Sequence, residues 1–221
     1  MAPGGLACHV MNRAVYGLAL FRGQADYAAV ERVLAEGRAR DSMRICAYVL
    51  MPTHFHLVLW PRRAGELSRF MQWVTLTHSQ RWHAHRGDPG RGRIYQSRFK
   101  SFPIQRDGHF LAVCRYVERI AVRAGLVRRA EDWRWCSLAC RRDRPDAAEA
   151  LLDDWPVDPP ADWVRRVNRA ETEAELAGLR EAARRGRPYG GSDWVARTAA
   201  RLGLASTLRP VGRPKKSAPG G

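Results

Sequence analysis

Two histidines separated by one residue, His54 and His56, are the clearest candidates for chemistry in this sequence. They lie in the stretch Leu-Met-Pro-Thr-His-Phe-His-Leu-Val-Leu-Trp at residues 50–60, whose apolar and aromatic content predicts a buried strand after a Pro-Thr turn. Alternate side chains of a strand share one face, so the two imidazoles should point the same way. Two imidazoles on a rigid face make half of a divalent metal site. The alternative is that each histidine only satisfies a hydrogen bond near a strand end.

The elements around this strand are predicted in the order strand, helix, strand, strand, helix, strand. This order indicates an α+β, ferredoxin-like fold, with an antiparallel sheet that carries helices on one face and leaves the other free to bind a ligand. Asp26 is the predicted N-cap of the first helix. The strands are predicted at residues 8–12, 43–50, 54–60 and 95–105, and the helices at about residues 26–37 and 66–82.

One more helix is predicted after the last strand, with Asp107 as its N-cap. Its apolar positions recur at helical spacing, so they should form a buried stripe. Tyr116 lies off this stripe. The stripe consists of Phe110, Val113, Cys114, Val117 and Ala121.

The composition favours a nucleic-acid partner. The formal charge of the 221-residue chain is +16, and almost all of the excess is arginine, because lysine occurs only at positions 100, 215 and 216. Guanidinium forks match phosphate oxygens, so a polyanion is the expected ligand. The alternative is a generic basic surface. An excess this large argues against an enzyme of neutral metabolites.

The remaining bulk features indicate a cytoplasmic, nucleoid-associated protein with no membrane partner. No apolar run approaches the length of a membrane span, and no signal peptide is evident. Five cysteines without a paired motif argue against a disulfide framework. We expect a first domain at residues 1–129, a helical extension at 130–208 and a basic disordered tail at 209–221. Residues 87–93 form a basic, glycine-rich segment that is predicted to be mobile.

Four segments occur in an order that is typical of one protein family. The chain resembles the REP-associated tyrosine transposases, which are single-tyrosine HUH nucleases of insertion sequences, over about residues 8–138. Each segment alone is a weak signal, and the four in order are a strong one. They are His-Val-Met-Asn-Arg at 9–13, Met-Pro-Thr-His-Phe-His at 51–56, Tyr-Gln-Ser-Arg-Phe-Lys at 95–100, and Tyr-Val-Glu-Arg at 116–119 followed by Val-Arg-Ala-Gly-Leu-Val at 122–127.

The resemblance implies a metal-dependent enzyme that cuts and rejoins DNA. His54 and His56 would hold Mg²⁺ or Mn²⁺, and Tyr116 would attack a phosphodiester of single-stranded or hairpin DNA. The expected product is a 5′-phosphotyrosyl enzyme, whose linkage energy lets another 3′ end rejoin without ATP. The oligomeric state, monomer or homodimer, stays open.

Three basic residues are candidates for contacts with backbone phosphates. Arg98 and Lys100 are predicted to share a face of the fourth strand, and Arg13 follows the first strand. Each could equally be a solvated surface charge.

One position departs from the family pattern. Relatives usually carry Asn or Gln four residues after the tyrosine as a third metal ligand, and here that position is Ile120. Glu118 is on the wrong side of the helix to replace it. Either two histidines, DNA and water hold the metal, or cleavage is weakened.

Two competing functions stay open. A relaxase or replication initiator shares the chemistry, although its additional motifs are not visible here. A DNA-binding module that has lost catalysis is the other, and Ile120 favours it. In any of these, we expect the basic C-terminal extension to add affinity for duplex or hairpin DNA.

Overall fold

The core of the protein is a four-stranded antiparallel sheet. The computed structural model describes residues 4–87 and 92–209. The strands lie in the order β2-β3-β1-β4, and every neighbouring pair is antiparallel. This is the predicted ferredoxin-like arrangement, and the α+β class is confirmed. The strands are β1 (Ala7–Arg13), β2 (Arg44–Met51), β3 (His54–Trp60) and β4 (Lys100–Ile104).

Two long helices cover one face of this sheet, as predicted. They are α1 (Gln24–Asp41), between β1 and β2, and α2 (Glu66–His85), between β3 and β4. On β3, Phe55, Leu57 and Leu59 point into this layer and belong to its apolar core. The alternate residues of β3 must therefore face the other side of the sheet.

That other side is also covered, so the expectation of a free sheet face is wrong. The helix α3 (Gly108–Glu118) lies across it. Val58 of β3 and Phe102 of β4 share a core there with Phe110 and Val117 of α3. The apolar stripe of α3 needs a surface to bury against, and this face of the sheet supplies it.

Of the two predicted helix N-caps, one is confirmed and the other is wrong. Asp107 is the N-cap of α3, as predicted, and its carboxylate accepts a hydrogen bond from the backbone N–H of His109 at 2.8 Å. Asp26 is not the N-cap of α1, because that helix begins at Gln24. The Asp26 carboxylate instead accepts a hydrogen bond from the backbone N–H of Arg22.

The fourth strand is shorter than predicted. Met11 of β1 pairs with Lys100, and Ala14 pairs with Tyr95 through an isolated bridge. Two residues lie between Met11 and Ala14, whereas four lie between their partners Tyr95 and Lys100. The two additional residues cannot stay in register, so this stretch bends out of the sheet. Arg98 lies in the bend and does not share a strand face with Lys100.

The chain after α3 is mainly helical, and the predicted helix near residues 171–184 is present as α8. The first of these helices, α4 (Ile120–Arg123), continues α3 after a one-residue break. The others are α5 (Ser137–Asp143), α6 (Pro145–Leu151), α7 (Trp163–Asn168), α8 (Glu173–Arg185) and α9 (Ser192–Arg201), with 3₁₀ turns at Ala130–Asp132 and Ala205–Leu208.

This C-terminal segment satisfies backbone groups at both edges of the sheet. Along β2, the N–H of Leu50 donates to the carbonyl of Trp135 at 2.9 Å. Along β4, the N–H of Tyr189 donates to the carbonyl of Pro103, and the N–H of Gln105 donates to the carbonyl of Tyr189, both at 2.9 Å. Edge strands otherwise expose unpaired backbone groups. The segment is therefore joined to the sheet by main-chain hydrogen bonds as well as by side-chain packing.

A buried carboxylate links α3 to the same segment. Glu118 accepts a hydrogen bond from Ser137 Oγ at 2.6 Å and another from Trp163 Nε1 at 2.8 Å. Its side chain is inaccessible to solvent, and burial raises its pKa above the ordinary value of 4.5. Glu118 is thus a structural contact of α3 with α5 and α7.

Three further findings concern the regions around this core. Within residues 4–87 and 92–209, no helix is long and apolar enough to cross a membrane. All five cysteines are buried free thiols. Residues 88–91 of the predicted mobile segment, and residues 210–221 of the predicted tail, lie outside the described part of the chain.

The raised pKa of Glu118 predicts a pH-dependent contribution to stability. The folded protein holds this proton above pH 4.5, where the unfolded chain releases it. The contribution of Glu118 to the free energy of unfolding therefore falls as the pH rises. As the pH rises above about 4.5, the difference in the free energy of unfolding between wild type and Glu118→Gln should shrink by at most about 1.4 kcal/mol per pH unit. Chemical denaturation at a series of pH values measures it, and a difference independent of pH would contradict the assignment.

Candidate active site

β3 presents His54 and His56 on the face of the sheet that α3 covers. In the pairing register, His54 lies opposite Arg13 of β1, and His56 lies opposite Met11. Val58, two residues further along, packs in the α3 core. The strand alternation thus places both imidazoles on one face, as predicted, with ring centroids 5.2 Å apart.

A third histidine, which sequence reasoning missed, supports this pair. His9 of β1 is buried, and its Nε2 atom lies 2.8 Å from Nδ1 of the buried His56. The hydrogen bond holds the orientation of the His56 ring and leaves Nε2 as its remaining nitrogen. The sequence offered one clue, because His9 is a polar residue inside an apolar strand. Its partner His56 becomes visible only in the register of β1 against β3.

Burial keeps the three imidazoles unprotonated. It lowers the pKa of His9 to about 3. Burial, followed by repulsion from Arg13, lowers the pKa of His54 to about 4. The pKa of His56 is also well below its usual value of 6.5, first because of burial and then because of His9 and His54. Neutral imidazole is the form that binds a metal ion.

α3 brings Tyr116 to the same place. Because the stripe of this helix faces the sheet, Tyr116 projects sideways and is half-buried. Its ring centroid lies 6.3 Å from that of His56 and 6.2 Å from that of His9. The guanidinium carbon of Arg123, on α4, lies 4.2 Å from the centroid of the same ring.

These side chains line one open cavity of about 480 Å³. Its lining contains His54, His56 and Tyr116, together with the predicted phosphate contacts Arg13 and Lys100. The predicted site residues therefore meet in three dimensions with one exception.

The exception is Arg98. It is exposed and lines a separate groove of about 1060 Å³ between α2 and the β4 side of the sheet. Gln72 and Thr75 of α2 line the same groove. Arg98 is therefore not part of the cavity that contains Tyr116, and its role as a DNA contact stays a prediction.

Comparison with known protein families places the chain in one of them. Residues 4–120 match the family model described as "Transposase IS200 like". The match spans more than half of the chain and includes the whole sheet and α3. The chain belongs to the IS200-like transposase family. This is a family of DNA-processing enzymes, and the family-level resemblance drawn from the four segments is confirmed. A search of curated proteins found no match.

A solved structure has the same fold as this IS200-like transposase. It is described as a REP-associated tyrosine transposase bound to a REP hairpin. The TM-score is 0.54 at 18% sequence identity, and the match covers 72% of this chain and 92% of the other. At this identity the similarity concerns the fold alone.

Two residues of this IS200-like transposase could hold a divalent metal ion, His54 and His56. Their neutral, closely spaced imidazoles fit that task. The position expected to supply a third ligand is occupied by Ile120, which lines the cavity and is only 6% exposed. In the described ranges, no group of three His, Cys, Asp or Glu side chains could hold a metal ion. The protein would thus contribute two ligands and leave the other positions to DNA and water.

The cavity is strongly basic. No acidic side chain lines it in the part of the chain that the structure describes. A concave site of one charge sign concentrates ions of the opposite sign, so an anionic phosphate backbone fits this cavity. The basic residues come from the sheet, from α4 and from α8, and they are Arg13, Lys100, Arg123, Arg180 and Arg184.

The hydrogen bond between His9 and His56 predicts that His9 affects metal affinity without binding the metal. Substitution His9→Ala removes the contact that orients the His56 ring, so Mn²⁺ affinity should fall roughly 10- to 100-fold. His9→Gln, whose amide can reach Nδ1 of His56, should keep most of the affinity. Titration of free Mn²⁺ by electron paramagnetic resonance measures both. Wild-type affinity in a folded His9→Ala variant would show that this histidine is only a core residue.

Proposed function

We propose that this IS200-like transposase is a single-stranded DNA nuclease and strand transferase, with the hydroxyl group of Tyr116 as its nucleophile. One observation carries the proposal: Tyr116 shares a single basic cavity with two neutral imidazoles of β3. Such a transfer needs three components: a tyrosine nucleophile, metal ligands and basic side chains that bind phosphate.

In the proposed reaction, the hydroxyl oxygen of Tyr116 attacks the phosphorus of a phosphodiester. The phenolic proton is lost to solvent, the bond to the 3′ oxygen breaks, and that oxygen takes up a proton from solvent. The products are a 5′-phosphotyrosyl enzyme and a free 3′-hydroxyl. Because one phosphodiester replaces another, the reverse attack by a different 3′-hydroxyl rejoins DNA without ATP.

The side chains around Tyr116 support this attack. Arg123 lies against the tyrosine ring and is held there by an ion pair of 2.9 Å with the buried Glu171. Its positive charge favours the negative charge that develops at the reacting oxygens. Arg13 and Lys100 would bind adjacent phosphates. A divalent cation bound to the histidines of β3 would supply further polarisation of a non-bridging phosphate oxygen.

We propose a DNA hairpin with a single-stranded flank as the substrate. The net charge of +16 supports a nucleic-acid ligand. The similar solved structure is of a REP-associated tyrosine transposase bound to a REP hairpin. The four sequence segments support membership of the same REP-associated subgroup.

A DNA-binding protein with weakened or lost catalysis is the second candidate. Ile120 supports it, because an apolar side chain occupies the position of the expected third metal ligand. The two candidates differ in one property, the formation of a covalent bond to DNA.

We expect a covalent DNA–protein adduct that requires Tyr116 and metal. The assay uses labelled hairpin oligonucleotides from the flanks of the gene, Mn²⁺ or Mg²⁺, and a denaturing gel. Tyr116→Phe removes only the attacking oxygen and should abolish the adduct, as should EDTA. Tyr16→Phe is the matched control, because the Tyr16 side chain is fully exposed in the turn after β1.

Two outcomes of this assay would decide against the enzyme. An adduct that persists in Tyr116→Phe would move the nucleophile elsewhere. Tight binding without an adduct on several hairpins would favour the DNA-binding candidate.

Substitution Ile120→Asn should strengthen the proposed metal site. An amide oxygen at this position faces the cavity and can join the two histidines as a ligand. We expect tighter Mn²⁺ binding and a cleavage rate that rises roughly tenfold, in line with the loss that a missing ligand or its support causes. Val122→Asn, on the same short helix but outside the cavity lining, controls for the new amide. Unchanged affinity for Mn²⁺ in Ile120→Asn would show that position 120 is not a ligand position.

A further inference from the structure

α8 brings two arginines of the C-terminal segment to the candidate active site. Arg180 and Arg184 are one helical turn apart, and they line the same cavity as Tyr116, together with Ala183 between them. The family match ends at residue 120. These arginines therefore belong to a part of the chain to which that match assigns nothing.

The N-terminal end of α8 is fixed against the helix region that carries Tyr116. Glu171, just before α8, is buried, and it pairs with Arg119 at 3.2 Å and with Arg123 at 2.9 Å. Thr172 and Glu175 then form a capping box that starts the helix. A buried carboxylate with two guanidinium partners is costly to separate, so this end of α8 should move little.

The chain that follows α8 is fixed against β4. Tyr189 forms backbone hydrogen bonds with Pro103 and Gln105, both at 2.9 Å. Gly190 follows in a space too small for a side chain, because a Cβ atom there would lie 2.6 Å from Gln105 Oε1 and from the ring of Trp194. Since the residues that flank α8 are held on both sides, we expect α8 to present its arginines from a fixed position.

The charges of these arginines are available to a ligand. Arg184 pairs with Glu181 of its own helix, but its side chain is 57% exposed and that of Glu181 is 35% exposed. An exposed pair of this kind contributes little stability and exchanges readily. Arg180 is exposed as well. In the described part of the chain, the lining of the cavity offers them no carboxylate.

We propose that Arg180 and Arg184 bind the phosphodiester backbone of the DNA strand in this cavity, so that α8 positions the strand for attack by Tyr116. Guanidinium forks bind phosphate oxygens in pairs, which gives orientation as well as affinity. The DNA strand is then held from two sides of the cavity, by Arg13 and Lys100 of the sheet region and by the two arginines of α8. This inference rests on the proposed function and makes the C-terminal segment part of the active site, beyond any contribution to hairpin affinity.

The test compares the full-length double variant Arg180→Ala/Arg184→Ala with wild type. The probe is a labelled hairpin oligonucleotide with a single-stranded flank, with Mn²⁺ for cleavage. Each single-strand phosphate contact contributes about −0.7 to the slope of log Kobs against log salt, so the loss of two contacts should make the slope shallower by about 1.4. The rate of adduct formation at saturating protein should fall at least roughly tenfold, because the strand is less well positioned.

Two controls separate charge loss from structural damage. Arg197→Ala/Arg201→Ala removes the same charge at the same spacing from α9, where both side chains are exposed and outside the cavity. Its slope and rate should match wild type. Arg180→Lys/Arg184→Lys keeps both charges, so it should keep most of the slope and lose some of the rate.

Each alternative outcome has a defined meaning. A slope that is unchanged in the alanine variant, or that changes equally in the α9 variant, overturns the proposal even if cleavage falls. If wild type itself forms no adduct, the proposed enzyme fails, whereas the salt slopes still decide whether α8 binds phosphate.

Discussion

The candidate site depends on the register of β3 between β1 and β2. A slip of one residue would turn His54 and His56 into the core beneath α1 and α2 and move the apolar residues that now fill it to the face under α3. Phe55 and Leu57 resist that slip, because both are buried in this core. The same register brings His9 against His56 and thereby fixes the orientation of one imidazole. The packing of β3 in the sheet therefore holds its two histidines in position.

The C-terminal segment also holds the sheet and the helices around the cavity in position. It satisfies backbone groups along β2 through Trp135 and along β4 through Tyr189, so neither edge of the sheet is left unpaired there. Buried polar contacts also join this segment to the helices around Tyr116: Ser137 and Trp163 donate to Glu118 of α3, and Glu171 pairs with Arg119 and Arg123. One consequence is that residues beyond the family match can influence both stability and the site.

Features that depend on local sequence patterns could be predicted from the sequence. Features that depend on strand register or on tertiary packing could not. The alternation of β3 and the position of Tyr116 off an apolar stripe follow from periods of two and 3.6 residues, and the Asp107 cap follows from the preference of Asp for that position. That stripe also requires an apolar surface to bury against, and the second face of the sheet supplies it, contrary to the predicted free face. The bend that removes Arg98 from the site follows from two residues in excess of β1, which become visible only in the register. His9 and the arginines of α8 required tertiary contacts across 47 residues or more of chain.

The central proposal is that β3 provides two imidazole ligands to a divalent metal ion and that no other histidine joins them. Pulsed electron paramagnetic resonance of the Mn²⁺-loaded protein with ¹⁵N-labelled histidine counts the coordinated imidazole nitrogens directly. We predict two, with one lost in His54→Ala, one lost in His56→Ala, and neither lost in a His9→Ala sample at saturating Mn²⁺. Absence of histidine coordination, or two nitrogens that survive both strand substitutions, would contradict the account.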